Sequence, residues 1–344
     1  MKPLVSIVIP LYNKERHIGR SIGSVLSQTF QDFEIVVVDD GSSDDGPRLV
    51  ERIGDPRIRV IRQENHGVSV ARNRGAEEAA ASLIAFLDAD DEYKPGFLAW
   101  ALERFHERPD VGAVAFNYEV VYDDKTRRSA IMPSETSKLL GIGEYCRLGR
   151  QASAIFSSSV MVKREILRRI GGFPKGVKAG EDIDTWLRII EAGAVFFDSR
   201  LAAVYHCDAD NRASLRNTPA KAQYFFKTLN RVVGKTPDLT PSELRDVAEF
   251  KNMFLLGYSV HQIRYLSASE GRSTLLNCDT RVFRGEKWKW IMISLLPHWF
   301  SSWLRRLKNG RGRYADRNSH FEDDGGVMTA QWNSSHRREA ARRR

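Results

Sequence analysis

The chain has 344 residues, 42% hydrophobic and 28% charged, with a formal net charge of +9. That is enough to bury one substantial α/β core plus a smaller helical addition, and no apolar run reaches the roughly 18 residues that would span a bilayer. Cys146, Cys207 and Cys278 are scattered and odd in number, which argues for a reducing compartment and against a disulfide framework.

Met1-Lys2-Pro3 leads straight into the first strand, so no signal peptide is expected. Residues 272–344 hold 16 Lys and Arg against 7 Asp and Glu; the whole basic excess lies there, and residues 1–271 balance. This disfavours a nucleic-acid-binding core and points to a tail that meets an anionic surface.

Leu4 to Pro10 is apolar enough to be a central strand of a parallel sheet. A turn, Leu11-Tyr12-Asn13-Lys14-Glu15, leads into a helix whose apolar stripe is Ile18, Ile22, Val25 and Leu26. Glu34 to Val38 is a second strand ending in Asp39-Asp40-Gly41, with Ser42, Ser43 or Asp44 placed to cap the next helix. Ile58 to Ile61 is a third. Asn65-His66-Gly67 then turns into a helix carrying Val68, Ala71, Arg72, Asn73 and Ala76.

The fourth strand is the one the rest of the chain serves. Leu83 to Leu87 is apolar throughout, as in a strand buried on both faces, and breaks abruptly into Asp88, Asp90 and Asp91. Open α/β sheets bind ligands at their strands' carboxyl ends. In extended chain Asp88 and Asp90 project to one side, and adjacent carboxylates repel unless a cation lies between them. Oxygen ligands at this density suit Mg²⁺ or Mn²⁺; the other reading is a solvated acidic turn. A helix from about Pro95 to His106 follows. Four βα units define a doubly wound nucleotide-binding half. Neither a Gly-x-Gly-x-x-Gly after the first strand nor a P-loop is present, so phosphates would be neutralised by a metal.

Val111 to Tyr122 and Ala154 to Val162 read as strands, separated by an irregular Lys125–Gly149 segment. Gly180-Glu181-Asp182 opens a helix in which Ile183, Trp186, Leu187 and Ile190 recur at helical spacing. Glu181 and Asp182 in its first turn either cap it or supply a general base. Val195–Asp198 and Ala202–His206 complete the sheet, leaving His206 at a strand end as a metal ligand or a structural histidine. Residues 216–284 read as a helical subdomain, with Thr240 capping a helix that starts at Pro241. From 285 to 308, Trp288, Trp290, Trp299 and Trp303 are interleaved with Lys287, Lys289, Arg305 and Arg306, the pattern of a segment lying in a membrane interface. An aromatic helix pair packed on protein is the alternative. Residues 309–344 read as a basic, disordered tail.

Taken together, Val5–Pro10 with Tyr12-Asn13, Val38-Asp39-Asp40-Gly41-Ser42, Gly67 to Gly75, Leu87–Asp91, and Gly180-Glu181-Asp182 with Trp186 closely resemble family 2 glycosyltransferases. The resemblance covers about residues 3–215, in a catalytic domain read as 1–215. It implies the GT-A fold, a Rossmann-like, mixed and mostly parallel sheet flanked by helices, here with a C-terminal helical extension. It also implies transfer of a sugar from a nucleotide diphosphate sugar, usually a UDP-sugar, with inversion at the anomeric carbon.

By that likeness Pro10, Tyr12 and Glu15 line the base and ribose site, Asp39 accepts a hydrogen bond from uracil, and Arg72 stands near the nucleotide. Asp88 binds the ribose at the metal's edge and Asp90 holds a divalent Mn²⁺ or Mg²⁺ bridging the diphosphate, with His206 near the ion. Asp182, beside Glu181, resembles the catalytic base, and Asp91 and Trp186 fall to the acceptor side. The acceptor expected is a saccharide or lipid-linked hydroxyl in cell-surface polysaccharide synthesis, handled by a cytoplasmic enzyme peripheral to the inner face of the membrane, with no nucleic-acid partner. A catalytically silent glycan- or partner-binding relative, or a sugar nucleotidyltransferase, are the competing readings.

Overall fold

The computed structural model describes residues 2–122, 125–177, 179–208 and 224–295. The 215/216 domain boundary, Trp299, Trp303 and the 309–344 tail lie outside them.

The sheet is built outward from β1 (Val5–Leu11), whose apolar residues are all buried. Each fully buried aliphatic side chain contributes about 1.5–3 kcal/mol, so this strand alone is a large share of the driving force. It pairs in parallel with β2 (Phe33–Asp40) and β4 (Leu83–Phe86), and β2 pairs in parallel with β3 (Ile58–Gln63). The helices α1 (Ile18–Leu26), α2 (Gly46–Arg52) and α3 (Val68–Glu78) make the crossovers. One contact sets how close α3 comes. A Cβ on Gly75 would lie 2.3 Å from Val8 Cγ1, so only glycine lets this helix rest on β1. Arg72, one turn earlier on the same face, is thereby driven to the end of β4.

The acidic stretch departs from the extended form expected of it. Strand β4 ends at Phe86, and Asp88 to Asp91 form a turn closed by the Asp91 N–H donating to the Asp88 carbonyl. The two-residue strand β5 (Glu92–Tyr93) and α4 (Phe97–Glu107) follow.

The second half continues the sheet with β6 (Val111–Val121), β9 (Val160–Lys163) and β10 (Ala194–His206), giving the order β3-β2-β1-β4-β9-β6-β10-β5. β9 runs antiparallel to both β4 and β6, whereas β10 and β6 are parallel. Val195–Asp198 and Ala202–His206 are one strand, whose register against β6 shifts between Asp198 and Leu201. Segment 125–149 is not irregular. It holds β7 (Arg127–Ser129), β8 (Lys138–Leu140) and α5 (Ile142–Gly149), the first two paired onto β6 and β10. Before β9 lies a 3₁₀ turn, Ser157–Ser159, where a strand was expected.

Helix α6 (Arg164–Ile170) precedes α7 (Glu181–Ala192), which buries Trp186, Leu187 and Ile189. The helical region comprises α8 (Phe225–Gly234), α9 (Pro241–His261), a π-helical stretch Gln262–Leu266, α10 (Ala268–Leu276) and α11 (Arg284–Leu295). The expected Thr240 cap is present as a capping box with Glu243. Helix α9 lies close along α5, where a Cβ on Gly149 would meet Phe250 at 2.5 Å. Helix α8 braces α7 through Thr228, which donates to Asp184. Among the described residues no helix is long and apolar enough to cross a membrane.

Candidate active site

Four chain segments converge at the carboxyl end of the parallel strands. The β1–α1 turn carries Tyr12, Lys14 and Glu15. Asn13 there is left-handed at φ 50, and its side-chain carbonyl accepts the Ser43 N–H, which ties this turn to the one after β2. Tyr12 is exposed, whereas Glu15 is occupied in accepting the Asp45 N–H. Pro10 is the last residue but one of β1, below them. In the second turn one carboxylate oxygen of Asp39 accepts the Ser42 N–H at 2.9 Å. Its neighbour Asp40 is buried and accepts from the backbone N–H groups of His66 and Gly67, which fixes the entry to α3.

Arg72 is the hub. It is 4% exposed. Its Nη2 donates to Asp88 Oδ1 at 2.7 Å, its Nη1 lies 3.8 Å from Glu181 Oε1, and the guanidinium covers the Phe173 ring at 5.3 Å. Burial opposes the charged form, but Asp88, Glu181 and Asp182 together outweigh it and hold the side chain cationic. Its Nε and Nη1 have no hydrogen-bond partner. One arginine thus links the end of β4 to the start of α7.

Glu181 and Asp182 sit in the first turn of α7, which begins after Gly180 at φ 78, a left-handed position that suits glycine. Burial, then the neighbouring Asp182, push the Glu181 carboxyl up to about 7, against the pull of Arg72. Burial also raises Asp182, opposed by the Ile183 N–H, which donates to Asp182 Oδ1 at 2.7 Å, and by Arg72. Both carboxyls are therefore better proton acceptors than a free carboxylate.

Asp90 Oδ2 accepts from Lys14 Nζ at 2.7 Å. Arg20 Nη2 donates to the Asp90 backbone carbonyl at 2.6 Å. Asp90 and Asp88 offer oxygen donors only, as a hard divalent cation requires, and the Lys14 ammonium stands on Asp90 as a positive charge in such an ion's position. The residues present therefore fit a metal with one or two protein carboxylates and the rest of its shell from phosphate and water. Among the described residues no group of three or more His, Cys, Asp or Glu side chains converges as a self-sufficient metal site.

Two expected roles, those of Asp91 and Trp186, are corrected. Asp91 points inward, not to an acceptor: it is 1% exposed, takes the Ser158 hydroxyl at 2.6 Å and the His206 N–H at 3.2 Å, and burial with Asp90 and Asp88 raises its carboxyl well above the usual range. Trp186 is fully buried, edge-on to Phe173, and belongs to the core. His206 places Nε2 2.6 Å from Glu92 Oε1, and burial and Arg20 lower its pKa. Lys14, Arg20, Asp40 and Ser158 were not singled out from the sequence. Ser158 also accepts the Asp88 N–H, and the Ser157–Ser159 run was its only signal.

Residues 6–171 match the family described as Glycosyl transferase family 2. The chain carries a family 2 glycosyltransferase domain. An uncharacterized glycosyltransferase of Rickettsia typhi is 26% identical over 273 residues, 75% of this chain and 83% of that protein. Other curated relatives are matched over 33% to 65% of their own length. Staphylococcus aureus TarS 1–349 in complex with UDP-GlcNAc superposes with a TM-score of 0.62 at 17% identity, over 89% of this chain and 92% of that one. The mannosyltransferase PcManGT of Pyrobaculum calidifontis, in complex with GDP-Man and Mn²⁺, gives 0.55 at 17% identity, over 96% and 86%. Both share the GT-A fold with this glycosyltransferase.

Proposed function

We propose that this glycosyltransferase moves a sugar from a nucleotide diphosphate sugar, a UDP-sugar, to a hydroxyl of a saccharide or lipid-linked acceptor, with inversion. The observation that supports it best is the pairing of two acid sets across Arg72. Arg72 lies between Asp88 at the end of β4 and Glu181 at the start of α7; in this reading Asp88 and Asp90 serve the donor, and Glu181–Asp182 the acceptor. Complexes of TarS with UDP-GlcNAc and of PcManGT with GDP-Man are consistent with a nucleotide-sugar donor.

In this reading Tyr12 and Asp39 hold the base, with Pro10 and Glu15 shaping the turn around it, and Asp88 holds the ribose. Asp90 would hold Mn²⁺ or Mg²⁺, which supplies charge stabilisation to the departing diphosphate. Asp182 takes the proton of the attacking hydroxyl; its raised basicity suits a group that must accept a proton near neutral pH. One displacement from the face opposite the leaving group inverts configuration. Glu181 shares the negative charge of this turn, and Arg72 keeps both carboxyls from drifting further toward the neutral form.

The acceptor's setting is read from α11. Trp288, Met292 and Leu295, at 52%, 61% and 59% exposure, recur at i, i+4 and i+7 and so share one face, with the buried Ile291 at its edge. With Lys289 beside them and the basic excess beyond, this face supports the reading of an enzyme that meets an anionic membrane surface from the cytoplasmic side and serves cell-surface polysaccharide synthesis. A panel of UDP- and GDP-sugars assayed for Mn²⁺-dependent release of the nucleoside diphosphate tests the donor. Release from a UDP-sugar supports the reading, and release of pyrophosphate instead would reject glycosyl transfer.

A further inference from the structure

The turn between β1 and α1 carries a lysine whose ammonium sits on the acid assigned to the donor's diphosphate. Lys14 Nζ lies 2.7 Å from Asp90 Oδ2, and both side chains are mostly buried. The turn fixes where this side chain starts. Before it, the left-handed Asn13 donates its backbone N–H to Ser42 Oγ and accepts the Ser43 N–H on its side chain. After it, Glu15 donates its backbone N–H to Asp44 and accepts the Asp45 N–H. Lys14 is thus bracketed by two residues fastened to the β2–α2 loop. Asp90 is held from the other side, since Arg20 binds its backbone carbonyl and is itself paired with Asp208.

The two acids nearest the donor site therefore each face a cation: Arg72 on Asp88 and Lys14 on Asp90. A divalent ion approaching Asp90 alone meets an ammonium in its place and is repelled by it. A nucleoside diphosphate changes that balance. It brings oxygens of high negative charge, and a lysine on a flexible four-carbon stem can turn to them without moving its backbone.

We propose that Lys14 is a resident counter-ion of the diphosphate site: it occupies Asp90 in the donor-free protein, disfavours the divalent ion there, and passes to the donor's phosphate oxygens when donor and metal enter together. This rests on the reading of Asp90 as the acid at the diphosphate. It makes metal and donor binding interdependent, and by linkage each raises the other's affinity by the same factor.

The test titrates Mn²⁺ into the full-length protein, following the EPR signal of free Mn²⁺, with and without UDP, for wild type, Lys14→Met, Lys14→Arg and Asp90→Asn. Lys14→Gln serves as a second neutral variant should the methionine perturb folding, judged by circular dichroism. Wild type binds Mn²⁺ weakly alone and more tightly with UDP. Lys14→Met binds Mn²⁺ alone about tenfold tighter than wild type, the lower end of what removing a unit charge a few ångströms from a dication does near a protein surface, and gains correspondingly less from UDP. Lys14→Arg behaves as wild type, and Asp90→Asn binds Mn²⁺ weakly throughout. Equal Mn²⁺ affinity of wild type and both neutral variants, with Asp90→Asn still impaired, overturns the role of Lys14 and leaves Asp90 in place. UDP without effect on Mn²⁺ affinity in any variant overturns the donor-site reading and this inference with it.

Discussion

Replacing Arg72 with methionine isolates the charge that joins the two acid sets. Methionine keeps an apolar stem against Phe173 but leaves Asp88, 2.7 Å from the guanidinium, and Glu181, 3.8 Å from it, without their cation. Removing one partner of a buried ion pair typically costs about 3–5 kcal/mol. Asp88 keeps some access to water, so the lower end, about 3 kcal/mol, is expected at pH 8. The loss depends on pH with a definite sign. Glu181 is raised to about 7 in the folded protein, above the usual carboxylate value. The stability linked to its proton is complete below that usual value and is lost as pH rises through 7. At pH 5.5 Glu181 is mostly neutral and needs no cation, so the variant loses less there than at pH 8. Urea unfolding followed by tryptophan fluorescence at both pH values measures this. Adding Asp88→Asn to Arg72→Met should recover part of the loss at pH 8, because the orphaned charge is gone. Equal losses at the two pH values, with Asp88→Asn adding to the damage instead of relieving it, would refute the electrostatic argument.

Asp182→Asn should retain UDP binding by calorimetry while turnover falls by about 10²–10⁴-fold, the usual span for a general base; native turnover would remove Asp182 from that role. Turnover should rise with pH through about 7, since the Glu181–Asp182 pair must shed a proton to accept one and burial raises both carboxyls; an acidic limb near pH 4 would mean these carboxyls titrate as free ones do. Trp288→Glu places a charge on the exposed face of α11 and should lower co-sedimentation of the full-length protein with anionic vesicles severalfold, leaving soluble-donor hydrolysis unchanged. Unaltered sedimentation would assign that face to protein contacts.

What the sequence shows about this glycosyltransferase depends on how local each signal is. Strands β1, β2 and β4 are legible because continuous apolar runs end in Pro10-Leu11, Asp39-Asp40 and Asp88, and the sheet brings those ends to one rim. Segment 125–149 is not legible. Its strands are three residues each and are stabilised by pairing with β6 and β10, while α5 buries its face against a helix about a hundred residues on.

The acids show the same limit at the site. Asp88, Asp90 and Asp91 look alike in sequence, yet Arg72, Lys14 and Ser158, each from a different element, give them three different environments. Trp186 reads as a site residue because it follows Glu-Asp by one turn. Its burial is set by Phe173, which Asn73 holds in place through its backbone N–H and carbonyl.

The most direct measurement is a crystal structure of the full chain with UDP and Mn²⁺. The account predicts the uracil beside Tyr12 and Asp39, the ribose at Asp88, the ion between Asp90 and the diphosphate, and Asp182 facing the cleft on the acceptor side, opposite the leaving diphosphate. An ion or nucleotide bound away from Asp90, or Asp182 turned from the cleft, would contradict it.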